Sequence, residues 1–275
     1  MKPFIIPLII LAVLIIGTVM FFLFSQHPAP ALPGETREIE GRTYRLTFYD
    51  DFDGDRLDRA KWSCCPEWKR GNIGGYWSDK CTSLDGNGHL VLTALKDEKG
   101  VLRSGAVRSK GKFKQCRGYF EARCKLQSAH GLWTAFWLMC PEEMIVTGDA
   151  VSGAEIDIYE SFDLDRGKIN HAIHYDGYGK DHKCRAKEES RPDVYDGEFH
   201  TFSLLWTDDA YIFYIDGEEV QRFASSDPDY PGCSTAAAYL KLSVECGTWA
   251  GKIVDEELPD EALTVDYVKV YEADE

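Results

Sequence analysis

No Cys-x-x-Cys pair occurs among the nine cysteines, which removes the usual ligand spacing of a zinc site. No segment repeats, and that disfavours a propeller or a solenoid. Basic residues are scarce: 31 lysines and arginines stand against 46 acids, for a net charge of −15. Such an excess repels polyanions. Nucleic acid is therefore not an expected partner, and sulfated polysaccharides are less favoured than neutral ones, although a local patch can override a global field. After the first two dozen residues, no long stretch places apolar residues at helical spacing. Short β-rich runs separated by Gly, Asp, Asn and Pro recur instead, the pattern of an all-β chain.

One apolar run is long. Phe4 to Phe24 is 21 residues without a charge, and at roughly 1.5 Å per residue it spans about 30 Å of hydrocarbon. Lys2 precedes it, so the remainder is expected on the far side of the membrane, extracytoplasmic. The length favours an uncleaved anchor over a signal peptide, whose apolar part runs about 7 to 15 residues, although Ala29-Pro30-Ala31 resembles a cleavage site. The expected organisation is a signal anchor or signal peptide over 1–24, a linker over 25–42 opening with the proline-rich Ser25 to Pro33, and one domain over 43–275. A monomer is expected, touching the membrane only through an uncleaved amino-terminal segment. Export permits disulfides, for which Cys64, Cys65, Cys81, Cys184 and Cys233 are the loop candidates, while Cys124 reads as a buried thiol in a strand.

The clearest strand is Tyr119 to Leu126, with Phe120, Ala122, Cys124 and Leu126 on one face and Tyr119, Glu121, Arg123 and Lys125 on the other. Tyr211 to Ile215 and Glu218 to Phe223 flank Asp216-Gly217, a pair that tolerates the positive φ angles of a tight type I′ turn. Further strands are expected at His89 to Leu95, Thr134 to Met139, Ile169 to Tyr175, His200 to Trp206, Tyr239 to Val244 and Thr264 to Tyr271. So many strands in one domain imply two packed antiparallel sheets.

Three acids interrupt the β-formers of Gly153 to Ser161: Glu155, Asp157 and Glu160. Ile156 and Ile158 alternate with the first two, which places Glu155 and Asp157 on one face. Glu160 falls at an odd separation from Glu155 and joins that face only if an extra residue near Ile158 and Tyr159 forms a β-bulge. With the bulge, two inward-leaning glutamates bring their carboxyls to about 5 Å, a spacing that suits hydrolysis with retained configuration. In that scheme Glu155 is the nucleophile, Glu160 the acid and then base, and Asp157 the orienting charge between them. A solvated acidic strand face, or acids binding calcium, satisfies the same spacing.

The run Glu155-Ile-Asp-Ile-Tyr-Glu160 resembles the ExDxxE signature of glycoside hydrolase family 16 in its bulged, laminarinase-like form. Lys112-Phe113 with Gly118 to Arg123 resembles the strand that precedes the active site. Gly131-Leu-Trp-Thr-Ala-Phe-Trp137-Leu resembles the family's GLWPAFWLL run, with Thr134 in place of proline. His200 to Trp206, Tyr211 to Gly217, Gly247-Thr-Trp249 and Val265 to Tyr271 resemble family segments in the right order, so the likeness extends from about Leu46 to Tyr271.

The resemblance implies a jelly-roll β-sandwich of two curved antiparallel sheets, concanavalin A-like, with an open cleft for endo-action on a polysaccharide. A β-1,3-glucan or mixed-linkage β-glucan is the expected substrate; a β-galactan or agar hydrolase, a transglycosylase and a non-catalytic glycan-binding wall protein are the alternatives. Sugar faces stack on aromatic rings, so Trp77, Trp133 and Trp249 are expected in the cleft, with Trp137 and Trp206 assigned to packing. Glu121 and Arg123 are candidates to hold sugar hydroxyls or to brace Glu155, the other reading being a surface ion pair. His174 matches a family histidine near the acid/base. Asp266 matches an aspartate that binds a structural calcium in the family, a hydrogen-bond partner at a strand end being the other reading. No cofactor is expected for catalysis.

Overall fold

Side-chain alternation decides which way each strand faces. A computed structural model describes residues 34–274 except 71–74, 127–128, 141–145, 164–166, 248–249, 253–257 and 259–261, and of 162–163 only the backbone. The expected membrane segment and Trp249 therefore lie outside the described residues. No helix among those described is long and apolar enough to cross a membrane.

Two antiparallel sheets contain nearly every strand. The front sheet has seven strands, in edge-to-edge order Lys183–Ser190, Lys168–Tyr175, Glu155–Asp163, Leu132–Met139, Tyr239–Cys246, Ala106–Arg108 and Ser63–Cys64. The back sheet has nine, running Thr36–Ile39, Arg42–Asp50, Leu263–Ala273, Gly118–Leu126, His200–Trp206, Ala210–Ile215 and Glu218–Ala224, with Leu90–Leu92 and Thr82–Leu84 added beside Leu263–Ala273. In Gly118–Leu126, Phe120, Ala122, Cys124 and Leu126 enter the core, while Tyr119 joins an outer cluster with Tyr214 and Tyr271. The front sheet contributes Phe136, Leu138, Ile156, Ile158, Tyr159 and Leu242 to that same core. Tyr159 and Phe202 meet between the sheets with ring centroids 4.2 Å apart. Full burial of such a side chain stabilises the fold by about 2 kcal/mol.

The Asp216-Gly217 hairpin is as expected, with φ of 50° and 80°. The linker boundary is not. Thr36–Ile39 pairs with Arg42–Asp50 through a second turn of this kind, Glu40 and Gly41, at φ 54° and 74°. That edge strand is half exposed and carries too few apolar residues to announce itself. The loop cysteines form no staples, because all nine are free thiols. A domain of this length buries enough apolar surface to hold without them. Cys124 is fully buried, and burial pushes its thiol up to about 12.

Glu121 and Arg123 face outward from the back sheet and do not reach the three acids of Glu155–Asp163. Glu121 is 4% exposed and accepts hydrogen bonds from Arg37 at 2.8 Å, Tyr119 at 3.2 Å, Ser203 at 3.2 Å and Tyr267 at 3.1 Å. Arg123 stacks 4.8 Å over Phe199 and pairs with Asp266. Asp266 is thus neutralised by a guanidinium, which does not fit the oxygen cage that calcium requires. Their polar register was legible; which sheet carried them was not. Glu121→Ala should leave Arg37 without its buried acceptor and lower stability by about 3 kcal/mol in chemical denaturation, without raising KM for any glycan.

Candidate functional site

The strand Glu155–Asp163 owes its chemistry to one extra residue. Trp137 opposes Asp157 and Phe136 opposes Tyr159, so Ile158 is skipped on one side. On the other side Ala172 opposes Asp157 and Asn170 opposes Glu160, leaving Ile158 and Tyr159 to face His171 alone. Both enter the core. The expected bulge therefore exists, and it returns Glu160 to the face that holds Glu155 and Asp157. His171 stabilises it from within: its ring is fully buried and its Nδ1 lies 2.6 Å from the Ile158 carbonyl. A carbonyl only accepts, so Nδ1 carries the proton. Burial pushes this histidine down to about 4, and the ring is neutral.

Each acid has its own partner. Glu160 accepts a hydrogen bond from Asn170 Nδ2 at 2.7 Å, and Tyr178 donates its hydroxyl proton to Glu155. Asp157 lies 3.2 Å from His174 Nε2. His174 Nδ1 in turn lies 3.0 Å from His182 Nε2, with the two rings stacked. Burial opposes charge on His174, but the bond to Asp157 and the charges of Asp157 and Glu155 outweigh it and push the ring up to about 12. It is an imidazolium, ion-paired with Asp157 and donating from Nδ1 to His182. Burial, then the charge of Asp157, pushes the Glu155 carboxyl up to about 7. The same two causes raise Glu160 well above the ordinary carboxylate range. The site therefore keeps one proton on Glu160 while Glu155 ionises near neutrality.

Glu155, Asp157 and His174 each offer one ligand atom within 4.8 Å of the others. With both ring nitrogens protonated, His174 has no lone pair to offer a cation there. His174 stands opposite Glu155 and beside Asp157, and its charge also bears on Glu160.

The rest of this face departs from expectation. Trp77 is 1% exposed and Trp133 is 7% exposed, so neither presents an open ring for stacking. Trp137, assigned to packing, lies between Asp157 and Lys241 on the same face, and its indole N–H donates to Ser243 at 3.0 Å. Trp206 packs in the core as expected. The open aromatic surfaces nearby are Trp68, 56% exposed against the edge of Trp77, and Tyr178, 61% exposed over Glu155. Neither was singled out from sequence. Tyr178 lies in the glycine-flanked turn Gly177-Tyr-Gly179, and that flanking was the available signal. An open cavity of about 410 Å³ on the back sheet is lined by Glu35, Arg37, Glu121 and Lys269, whose charges already satisfy one another.

A profile of the family described as "Glycosyl hydrolases family 16" matches residues 72–269. The chain is 23% identical over 257 residues to glucan endo-1,3-beta-glucosidase A1 of Niallia circulans, covering 82% of this chain and 37% of that protein. It is 26% identical over 197 residues to endo-1,3-1,4-beta-glycanase ExsH of Rhizobium meliloti, covering 68% of this chain and 39% of that one. The chain thus spans well under half the length of these two relatives. The crystal structure of an endo-beta-1,3-glucanase from Pyrococcus furiosus superposes with a TM-score of 0.70 at 26% identity, over 87% of this chain and 98% of that one.

A raised carboxyl pKa ties stability to pH. Glu155 binds its proton more tightly folded than unfolded, so its contribution is complete below about pH 4.5 and is lost as pH rises through about 7. Glu155→Gln should therefore melt above the parent at pH 8, by about 2 kcal/mol, and level with it at pH 4. Thermal denaturation at both pH values checks this, and an equal offset at the two would contradict it.

Proposed function

Because the chain belongs to glycosyl hydrolases family 16, we propose that it cleaves a β-linked polysaccharide internally with retention of configuration, on a backbone of β-1,3- or mixed-linkage β-1,3-1,4-glucan. One observation supports this above the rest: the Ile158 bulge sets two glutamates of unequal proton affinity on one face with Asp157 between them. Their backbones stand about four strand steps apart, roughly 13 Å, from which leaning side chains close to the spacing of a retaining pair. The names carried by the relatives favour glucan.

Glu155, ionised, attacks the anomeric carbon, while Glu160 gives its proton to the glycosidic oxygen as that bond breaks. The leaving chain departs as an alcohol, with the sugar esterified to Glu155. Glu160, now a carboxylate, takes a proton from water as its oxygen attacks the same carbon and frees Glu155. Asp157 and the His174 imidazolium form a fixed ion pair that orients Glu155 and moderates its charge, and Tyr178 steadies the attacking carboxylate. Every step falls to a side chain, so no cofactor is required. We place the domain outside the cytoplasm as a monomer, held by residues 1–24 or released after their removal.

Reducing-end and product analysis of the full chain on laminarin, mixed-linkage glucan and agarose tests the reading; internal cleavage of a glucan with β-configured products is expected. Glu155→Gln should lower kcat by more than about 10³-fold while glycan binding persists, and undiminished hydrolysis would take Glu155 out of the nucleophile role. Tyr178→Phe removes a hydrogen bond that favours ionised Glu155. The acidic limb of kcat/KM should then move up by about one pH unit, an effect that loss of packing alone does not produce.

A further inference from the structure

Four strands of the front sheet present one row of side chains. Asp157 stands opposite Trp137, Trp137 opposite Lys241, and Lys241 opposite Arg108. At roughly 4.8 Å per strand, Lys241 lies about 10 Å from Asp157 and Arg108 about 14 Å, along the direction in which a glycan crosses the strands. Lys241 is 6% exposed. Its ammonium sits 3.4 Å from the Trp137 ring centroid and 4.6 Å from that of Trp77. Arg70 covers the same Trp77 ring at 3.9 Å but is already paired with buried Glu245 at 2.9 Å. Arg70, Arg108 and Lys241 all bear electrostatically on the Cys65 thiol.

Among the described residues no carboxylate forms an ion pair with Lys241 or Arg108, and the Arg108 Nε is buried without a hydrogen-bond partner. Glu155 and Glu245 act on Lys241 only from a distance, so without a contact ion pair its burial is costly, and two indole faces offset only part of the loss. Burial pushes the Lys241 amine down to about 8, although Cys65 and Glu155 oppose the shift. A chain of net charge −15 thus places two cations that lack a contact ion pair on the same face as its acids.

We propose that Lys241 and Arg108 form an anion subsite of the cleft, which takes a carboxylate- or sulfate-bearing sugar two to three strand widths from the scissile bond. The subsite rests on the glucan-cleaving reading and refines its substrate to a backbone that carries acidic units. Trp137 supplies the wall against which the ring lies, and Lys241, already desolvated, meets the anion with little further loss of hydration. A neutral glucan leaves these donors with hydroxyls alone.

Binding is measured by affinity electrophoresis of the full-length chain, in the Glu155→Gln background so that turnover does not interfere. The probes are laminarin, laminarin oxidised at C6 to carboxylates, and sulfated laminarin. At low salt one charged form should bind about 10-fold more tightly than the neutral one, the worth of one charge-assisted hydrogen bond. The tighter of the two names the anion. Lys241→Met should reduce the preference below about twofold, Lys241→Arg should retain it, and added salt should erase it in the parent. Equal binding of neutral and charged forms, or a preference that survives Lys241→Met, overturns the proposal. If Lys241→Met fails to fold, the salt dependence in the parent decides: a preference indifferent to salt rejects the subsite. Hydrolysis of none of the three by the wild type would instead count against the glucan reading, since the binding result does not depend on cleavage.

Discussion

Everything at the site depends on a single neutral imidazole under the front sheet. A bulge leaves a carbonyl without a ladder partner, and a carbonyl stranded in an apolar core costs free energy on the order of 1–3 kcal/mol. His171 supplies the missing donor from the residue directly opposite, at 2.6 Å. Its burial among Phe213 and the core side chains keeps it uncharged, which preserves the one tautomer that fits. Without the extra residue, Glu160 would face Phe202 and the hydrocarbon around it.

From that kink the electrostatics follow. Three acids on one desolvated face cannot all be ionised at once, and the surroundings sort them. Asp157 has an imidazolium, Glu155 a phenol, and Glu160 only an amide. The group with the weakest support for charge holds its proton longest. The two glutamates are thus told apart by neighbours that come from the adjoining strand and the turn beyond it, not by the strand that bears them.

The strands and the acids were legible because both depend on local sequence: a period of two, an Asp-Gly turn, and an odd interval between Glu155 and Glu160 that demanded a bulge. What stayed hidden depends on pairing across the chain. Glu121 and Arg123 sit in a polar register, but only the sheet order shows that they belong to the back face. Trp77 and Trp133 lie among cleft-facing residues, yet both rings are buried. The total charge of −15 argued against anionic ligands, whereas Arg108 and Lys241 come from strands 133 positions apart and meet only through register. The short strand Thr36–Ile39 had no apolar rhythm to reveal it, and thiols without partners cannot be distinguished from bridged ones by position alone.

The front sheet ends at Lys183–Ser190, a strand half of whose backbone hydrogen-bonding groups turn to solvent. Such a border invites a second polypeptide to add itself, and the cleft is only two strands away. Here the invitation is withdrawn: Lys183, Arg185, Lys187, Glu188 and Glu189 crowd the strand with both signs of charge, and most of it is exposed. A visiting strand would have to desolvate those charges to dock. Among the described residues no further strand pairs with this border, and its charges disfavour one that would.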